Sequence, residues 1–543
     1  MKNQLLTNRR FYLLLGLFVG IAITWKLALI KFGAFPFNAD EAIVALMGRH
    51  ILQGEIPIFF YGQAYMGSLD AFLVALSFLI FGEQINAIRY VQILLYVGVL
   101  LSTFWLSVIM FRSRMAALYS VILLAIPTVN VTLYTTVSLG GYGEALLIGN
   151  LLLCFGLMIF QKRSQQTSFA RNLVFVLLWG VLAGLGLWAN GLTLVYSLPM
   201  GFYLAFWINQ EYKTNRKIIL IGVLITGGLI GAAPWISYAV QNSIAQLLQE
   251  LLGSAVAVES GSWFNQVVMH ALNFVLFGIP VILGFRPPWE VSWLVLPLIP
   301  FVGLFWFLVI KNGVGKIRTE NGNERWIQFF PATVILLIIT LFIFTHFGVD
   351  PSGRYFLPIN IMLAIYAGIY IDQGISKKIL KAAGLILIIG FQFLGTIQCL
   401  QRIPPGLTTQ FDTSTVINRE YDAELIAFLK ESNETRGFTN YWVSYPLAFL
   451  SREELIYTPR LPYHQDLRYT PRDDRYAPYT KLVEQSEKTA LITSRNIQLN
   501  LKIREFLQEK GITWNEKQIG DYLVFYGLSN RINSDDLNAL IQP

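Results

Sequence analysis

Apolar runs long enough to cross a hydrocarbon core as helices, about 20 residues each, alternate with short polar loops from residue 11 to residue 399. The pattern predicts spans at 11–30, 89–111, 115–133, 141–160, 173–190, 191–209, 218–238, 291–310, 327–345, 355–373 and 379–399. Residues 265–284 are apolar too, but counting them would throw the Lys311–Arg325 loop to the opposite side. They are expected to lie on, or dip into, the outer face. After Ile403-Pro404-Pro405-Gly406 the pattern changes to a polar, Tyr-rich tail. There 420–432 and 499–510 have helical period, and Ala490–Thr493 and Asp521–Tyr526 have the character of short strands. Pro446, Pro459, Pro462, Pro471 and Pro478 predict an irregular middle. The expected architecture is mainly α: a polytopic transmembrane bundle of about eleven spans over residues 1–400. A C-terminal α/β domain follows over 401–543.

Composition supports this. The 543 residues are 55% hydrophobic and only 14% charged, where a soluble chain would carry roughly a quarter charged residues. Residues 1–400 hold 24 Lys/Arg and 14 Asp/Glu, whereas 401–543 hold 17 and 19. The basic balance therefore belongs to the membrane part and does not argue for nucleic acid. With the N-terminus cytoplasmic, Arg112/Arg114, Lys162/Arg163/Arg171, Lys213/Arg216/Lys217, Lys311 to Arg325 and Lys377/Lys378/Lys381 fall inside. Together with Lys2, Arg9 and Arg10 they make up 18 of the 24. That bias predicts a cytoplasmic N-terminus, an extracytoplasmic C-terminal domain, and a multi-pass protein of the plasma (inner) membrane. The first apolar run is read as an uncleaved span, since no small-x-small cleavage site follows it. Cys154 and Cys399 lie inside spans, which implies neither a disulfide framework nor a thiolate metal site.

Candidate chemistry gathers at the predicted outer face. Asp40-Glu41 follows the first span; the bland reading is a helix start, with Asn38 as cap and both acids where the dipole favours them. The following positions Ile43, Leu46, Met47, His50 and Ile51 suit a helix lying in the interface. Tyr61, Gln63 and Tyr65, in Phe59-Phe60-Tyr61-Gly62-Gln63-Ala64-Tyr65-Met66-Gly67-Ser68-Leu69-Asp70, suit a sugar or lipid-phosphate pocket, or else a turn with interfacial anchors. Glu144 opens a span after Ser138-Leu139-Gly140-Gly141, and acids beside spans are costly. Arg354-Tyr355, in Asp350-Pro351-Ser352-Gly353-Arg354-Tyr355-Phe356-Leu357-Pro358, could grip a phosphate bidentately or simply snorkel to headgroups. His50, His270, His346 and His464 show no metal-ligand spacing. No Walker sequence, dinucleotide fingerprint or nucleophile elbow is present. Neither a cofactor nor a divalent metal is indicated.

Taken in order, these pieces resemble the GT-C superfamily of membrane glycosyltransferases, with most likeness to its protein O-mannosyltransferase and aminoarabinose transferase branch. The resemblance rests on Asp40-Glu41 in the first external loop, Gly67-Ser68-Leu69, Phe81-Gly82, Arg89 opening the second span, Glu144, and Arg354-Tyr355 with Pro358. It covers residues 10–400. The Pro-Pro-Leu of the mannosyltransferases is replaced by Gly67-Ser68-Leu69, so mannose is not implied, and the tail does not look like a β-trefoil. The resemblance implies an inverting transferase taking a monosaccharide from a polyprenyl-phosphate donor to a hydroxyl of a glycan, lipid or protein. Asp40 would be the base, Glu41 and Glu144 would orient hydroxyls, and Arg89 and Arg354 would meet the leaving phosphate.

Three other classes compete. A ligase or polymerase moving a whole lipid-linked glycan would favour basic external loops for a diphosphate donor, whereas these loops are net acidic. A lipid-linked substrate transporter or flippase would be expected to show internal repeats and midplane charges, yet residues 1–200 do not echo 201–400. A non-catalytic membrane assembly subunit could carry much the same sequence.

Overall fold

A computed structural model describes residues 2–161, 168–245, 262–319, 322–402, 406–410 and 415–540. Lys162, Arg163 and the Ile403–Pro405 boundary lie outside them. The chain forms two compact units, neither continuous in sequence. One comprises Met1–Phe35, Tyr65–Asp70 and Arg89–Leu407; the other comprises Pro36–Ala64, Ala71–Ile88 and Thr408–Pro543.

The first unit is helical. Among the described residues, eleven helices in the chain are long and apolar enough to cross a membrane, and the protein is a multi-pass membrane protein. The stretch 115–133 is not one span. It forms Arg114–Ala125 and Val129–Tyr134, broken at Ile126-Pro127. Pro127 lacks the amide to continue the helix and biases Ile126 toward extended backbone, found at φ −125°, ψ 88°. Trp263–Ile282 takes its place in the count: 20 residues with mean hydropathy 1.5, eased by a wide turn at Phe274–Gly278. Loop charge argues for laying this segment on a face, whereas its length and apolarity meet the requirement for crossing.

Small residues set the closest helix pair. Gly180 and Gly184 on helix Phe169–Ala189 meet Gly227 and Gly231 on helix Thr214–Gly231. A Cβ at Gly184 would stand 2.1 Å from the Gly228 carbonyl oxygen, and one at Gly231 would stand 2.1 Å from that of Val181. Each helix carries small-xxx-small spacing, so backbone meets backbone, the contact that drives association where lipid removes the hydrophobic incentive.

The second unit holds a five-stranded sheet of β3 (Arg436–Thr439), β4 (Ile456–Pro459), β5 (Ala490–Ser494), β6 (Asn515–Ile519) and β7 (Tyr522–Tyr526); earlier in the chain, β1 (Phe59–Phe60) and β2 (Gln63–Gly67) form a small two-stranded sheet. The sheet order is β4-β3-β5-β7-β6; β3 runs parallel to β4 and β5, and β7 antiparallel to β5 and β6. Helices Asp422–Glu431 and Ile497–Glu509 and strands β5 and β7 lie where periodicity puts them. The proline-rich middle is more regular than expected. Pro459 ends β4, an edge strand, where a missing ladder donor costs least. Pro446 sits inside helix Tyr441–Leu450. The Trp442 carbonyl it leaves unserved accepts instead from Arg419 Nη2 at 2.6 Å.

Helix Ala39–Leu52 is not an interface helix. Ala42 to Met47 are at most 2% exposed. Within this unit it packs on helix Tyr441–Leu450, and a Cβ at Gly48 would touch Val74 and Ala75. An apolar stripe reads the same whether lipid or protein covers it.

Candidate functional site

Asn38, in extended conformation, caps helix Ala39–Leu52 by accepting the Glu41 amide at 3.0 Å, so the bland reading of Asp40-Glu41 holds locally. Glu41 is fully buried. Asp40 is half-buried and does more than decorate a helix start. The Tyr441 hydroxyl donates to its Oδ1. Tyr441 is itself the first residue of a capped helix: Asn440 accepts the Trp442 amide at 3.0 Å and donates to Ser494 of β5 at 2.8 Å.

Around this pair stand Arg475, whose guanidinium lies 5.6 Å from the Tyr441 ring centroid, and Tyr445, edge-on to the same ring. The Tyr445 hydroxyl accepts the Arg475 amide at 2.5 Å and donates to the Asp473 carbonyl at 2.9 Å. Burial pushes the Asp473 carboxyl up to about 7, with Arg475 opposing and the Asp40 charge adding to the rise. Burial, reinforced by Asp40, also drives the Tyr441 phenol well above its ordinary value, so it stays a donor.

A second polar cluster in the same unit absorbs Tyr61. His50 lies between Tyr61 Oη (2.9 Å) and Glu453 Oε1 (2.9 Å). Tyr61 donates to Glu55 at 2.8 Å and stacks on Tyr476, which donates to the other Glu55 oxygen. Glu453 also accepts from Tyr479 (2.7 Å) and Arg49 (3.3 Å), and Arg49 pairs with Glu83 at 2.8 Å. Tyr61 thus fastens the loop after helix Ala39–Leu52. Gln63 opens β2, half-buried.

The first unit holds the remaining predicted residues. Glu144 is 2% exposed, and its carboxyl lies within hydrogen-bond reach of that of Asp70. Asp70, 3% exposed, faces it. Gln92 Nε2 donates to Asp70 Oδ1 at 2.8 Å, and the Ser138 hydroxyl donates to Oδ2. Arg354 pairs with Asp350 at 2.6 Å and lies 4.9 Å from the Tyr355 ring centroid, while its Nε is buried without a partner. Tyr65, Tyr142 and Tyr355 stand within electrostatic range of one another, the last two also of Arg354. Asn130 donates to the Gly353 carbonyl at 3.1 Å, and Arg286 donates to that of Pro351 at 2.7 Å, which fixes the turn before Arg354. Burial lowers the Arg286 guanidinium to about 10. Arg89 donates to the Phe35 carbonyl at 3.0 Å, and its guanidinium lies 5.8 Å from the Phe35 ring centroid.

The predicted residues therefore divide. Asp40, Glu41, Tyr61 and Gln63 belong to the second unit; Tyr65, Arg89, Glu144, Arg354 and Tyr355 belong to the first. Sequence reasoning missed Tyr441, Asp473 and Arg475, in a tail to which it assigned no chemistry. It also missed Asp70 as the neighbour of Glu144, and Lys26. Lys26, within a span and 1% exposed, donates to Thr135 O, Thr135 Oγ1 and Thr136 Oγ1 at 2.8–2.9 Å. The available signal was a lysine inside an apolar run, which is costly there. Among the described residues, no three His, Cys, Asp or Glu side chains are grouped to hold a metal ion.

No family model and no curated protein sequence matches this chain. Solved structures do. ArnT from Cupriavidus metallidurans bound to undecaprenyl phosphate aligns at a TM-score of 0.61 and 13% identity, over 97% of this chain and 98% of that one. Its apo state aligns at 0.56 and 11%, over 93% and 94%. The archaeal oligosaccharyltransferase AglB from Archaeoglobus fulgidus, in complex with an inhibitory peptide and a dolichol-phosphate, aligns at 0.50 and 11%, over 96% of this chain and 74% of that one. The fold matches the GT-C fold of ArnT.

Proposed function

We propose that this chain is an integral-membrane inverting glycosyltransferase that moves a monosaccharide from a polyprenyl-phosphate donor to a hydroxyl acceptor. The observation that carries this reading is the end-to-end likeness to a transferase fold captured with a polyprenyl phosphate. Loop charge supports chemistry at the outer face of the plasma membrane, with the N-terminus cytoplasmic and the C-terminal region extracytoplasmic.

In this reading Asp40 is the general base. An ionised carboxylate takes the proton of the acceptor hydroxyl as that oxygen attacks the anomeric carbon. The bond from carbon to phosphate oxygen breaks on the opposite side, which inverts the centre, and the polyprenyl phosphate leaves with one more negative charge. Arg89 and Arg354 are the two candidate arginines for that charge; Arg354 is paired with Asp350, and Arg89 donates to the Phe35 carbonyl. Glu144, whose carboxyl faces that of Asp70, is the candidate to receive sugar or acceptor hydroxyls, which donate to carboxylates. Tyr65 and Tyr355 offer faces for a sugar or prenyl chain.

The test is turnover by the purified chain in lipid, offered a panel of polyprenyl-phosphate sugars and a crude membrane-glycan or protein acceptor, with release of polyprenyl phosphate as the signal. Turnover of one donor, lost in Asp40→Asn at unchanged folding, supports the reading and names the sugar. Turnover unaffected by Asp40→Asn removes the base, and silence across the panel removes the reading.

A further inference from the structure

The strongest unassigned feature is the set of side chains that the C-terminal part of the chain places on Asp40. The Tyr441 hydroxyl donates to Asp40 Oδ1 across 401 residues of sequence. Both residues sit in the first turns of helices whose starts are pinned, one by Asn38 and the other by Asn440. Asn440 reaches Ser494 on β5, so the sheet of this unit carries the tyrosine backbone. The ring is held on three sides, by Trp442 (centroids 5.0 Å apart), Tyr445 (5.6 Å) and the Arg475 guanidinium (5.6 Å). The backbone of 473–475 is tied in turn to the Tyr445 hydroxyl. Gly62 adds a close approach from β1–β2: a Cβ there would stand 2.8 Å from Arg475 Cδ.

A tyrosine 4% exposed and packed this tightly has one rotamer. A carboxylate that must take a proton in flight needs the same fixity, since a base works only within hydrogen-bond reach and in line with the proton it abstracts. An Asp side chain at a half-buried helix start has no such fixity of its own.

We propose that Tyr441 is the positioning residue of Asp40: by donating to Oδ1 it locks the carboxylate rotamer and turns Oδ2 toward the acceptor hydroxyl. This rests on the reading of Asp40 as the base. It makes the C-terminal region part of the machinery for the chemical step rather than an appendage. Tyr441 touches no reacting atom; it acts through Asp40 and leaves donor binding alone.

The experiment is a double-mutant cycle on the full chain in lipid nanodiscs, using the donor that the wild type turns over. Tyr441→Phe removes the hydroxyl and keeps the ring, while Asp40→Glu keeps a carboxylate but moves it by one methylene. Tyr441→Phe is expected to lower kcat by about 10- to 100-fold, the scale of one lost orienting hydrogen bond in a site. The donor KM is expected to stay within about twofold, the pattern of an interaction felt in the transition state. In the Asp40→Glu background the same change is expected to cost at most about twofold, because the geometry it protects is already lost. Loss of kcat by the same factor in both backgrounds means a general structural role and overturns the proposal. So does unchanged kcat in Tyr441→Phe, which leaves the base reading intact provided Asp40→Asn is inactive. An active Asp40→Asn overturns the base reading and the positioning role together.

Discussion

His50 Nε2 lies 2.9 Å from Glu453 Oε1, a contact between residues 403 apart in sequence. Burial alone would push the Glu453 carboxyl up. Hydrogen bonds from His50 and Tyr479, with the His50 and Arg49 charges, overcome that and hold it at about 2, below its ordinary 4.5. A depressed carboxyl stabilises the fold above its unfolded value, and the contribution is lost as pH falls through the folded one. Glu453→Gln is therefore expected to cost about 2–3 kcal/mol at pH 7. The gap to the wild type should close between about pH 4.5 and 2. Unfolding of both proteins in detergent across pH 7 to 3 checks this; a gap that does not narrow would mean the carboxylate charge is not what binds the cluster.

Asp473 makes the opposite prediction within the same unit. Its folded value, raised by burial to about 7 against an ordinary 3.8, means the folded chain holds this proton where the unfolded chain has released it. Stability from this group is full below about pH 4 and declines until about pH 7. Asp473→Asn should then be more stable than the wild type at pH 8, by up to about 4 kcal/mol, and equal to it near pH 4. Thermal midpoints at the two pH values decide the matter. An advantage of the same size at both would show packing rather than titration.

Much of the membrane unit was legible because length and apolarity alone dictate a spanning helix. The errors came where a second signal was needed. Pro127 breaks 115–133 in two, a local rule outweighed in the reading by the length of the apolar run. The stripe Ile43, Leu46, Met47 fits an interface helix, but hydrophobicity does not say whether lipid or protein covers it; here the stripe is buried, and helix Tyr441–Leu450 packs on this helix. Helix Tyr441–Leu450 was hidden by Pro446, since nothing in the sequence tells that Arg419 would serve the freed carbonyl. For the same reason the candidate residues were half legible. Asp40 and Glu144 stand out as acids beside spans, whereas their partners Tyr441 and Asp70 come from elsewhere in the chain and look ordinary in their own neighbourhoods.

The pairing of helices Phe169–Ala189 and Thr214–Gly231 gives a prediction with a built-in control. A side chain at Gly184 has no room, since its Cβ would stand 2.1 Å from the Gly228 carbonyl oxygen, whereas nothing lies within 4 Å of a Cβ at Gly222. Gly184→Leu should separate the helices and cost more than about 3 kcal/mol, in the range of severe overpacking. Gly222→Leu should be neutral within about 0.5 kcal/mol. Monodisperse yield and thermal midpoint in detergent report both. Equal behaviour of the two variants would mean the helix pair yields without cost.

The facing carboxyls of Asp70 and Glu144 separate stability from activity. Asp70 holds two donors, Gln92 and Ser138, in the interior of its unit, so Asp70→Ala strands both and should cost about 2–5 kcal/mol. The Glu144 carboxyl lies within hydrogen-bond reach of that of Asp70, and two neighbouring carboxylates repel when both are ionised. Glu144→Gln keeps the shape and removes that repulsion, so the fold should be as stable as the wild type or more so. If the Glu144 carboxyl receives substrate hydroxyls, turnover should nonetheless fall at least about 10-fold, the cost of one good site hydrogen bond. Unfolding and donor turnover, measured on the same preparations, give the answer. A Glu144→Gln protein that is stable and fully active would assign the glutamate to neither folding nor chemistry, and one that is unstable would assign it to the fold.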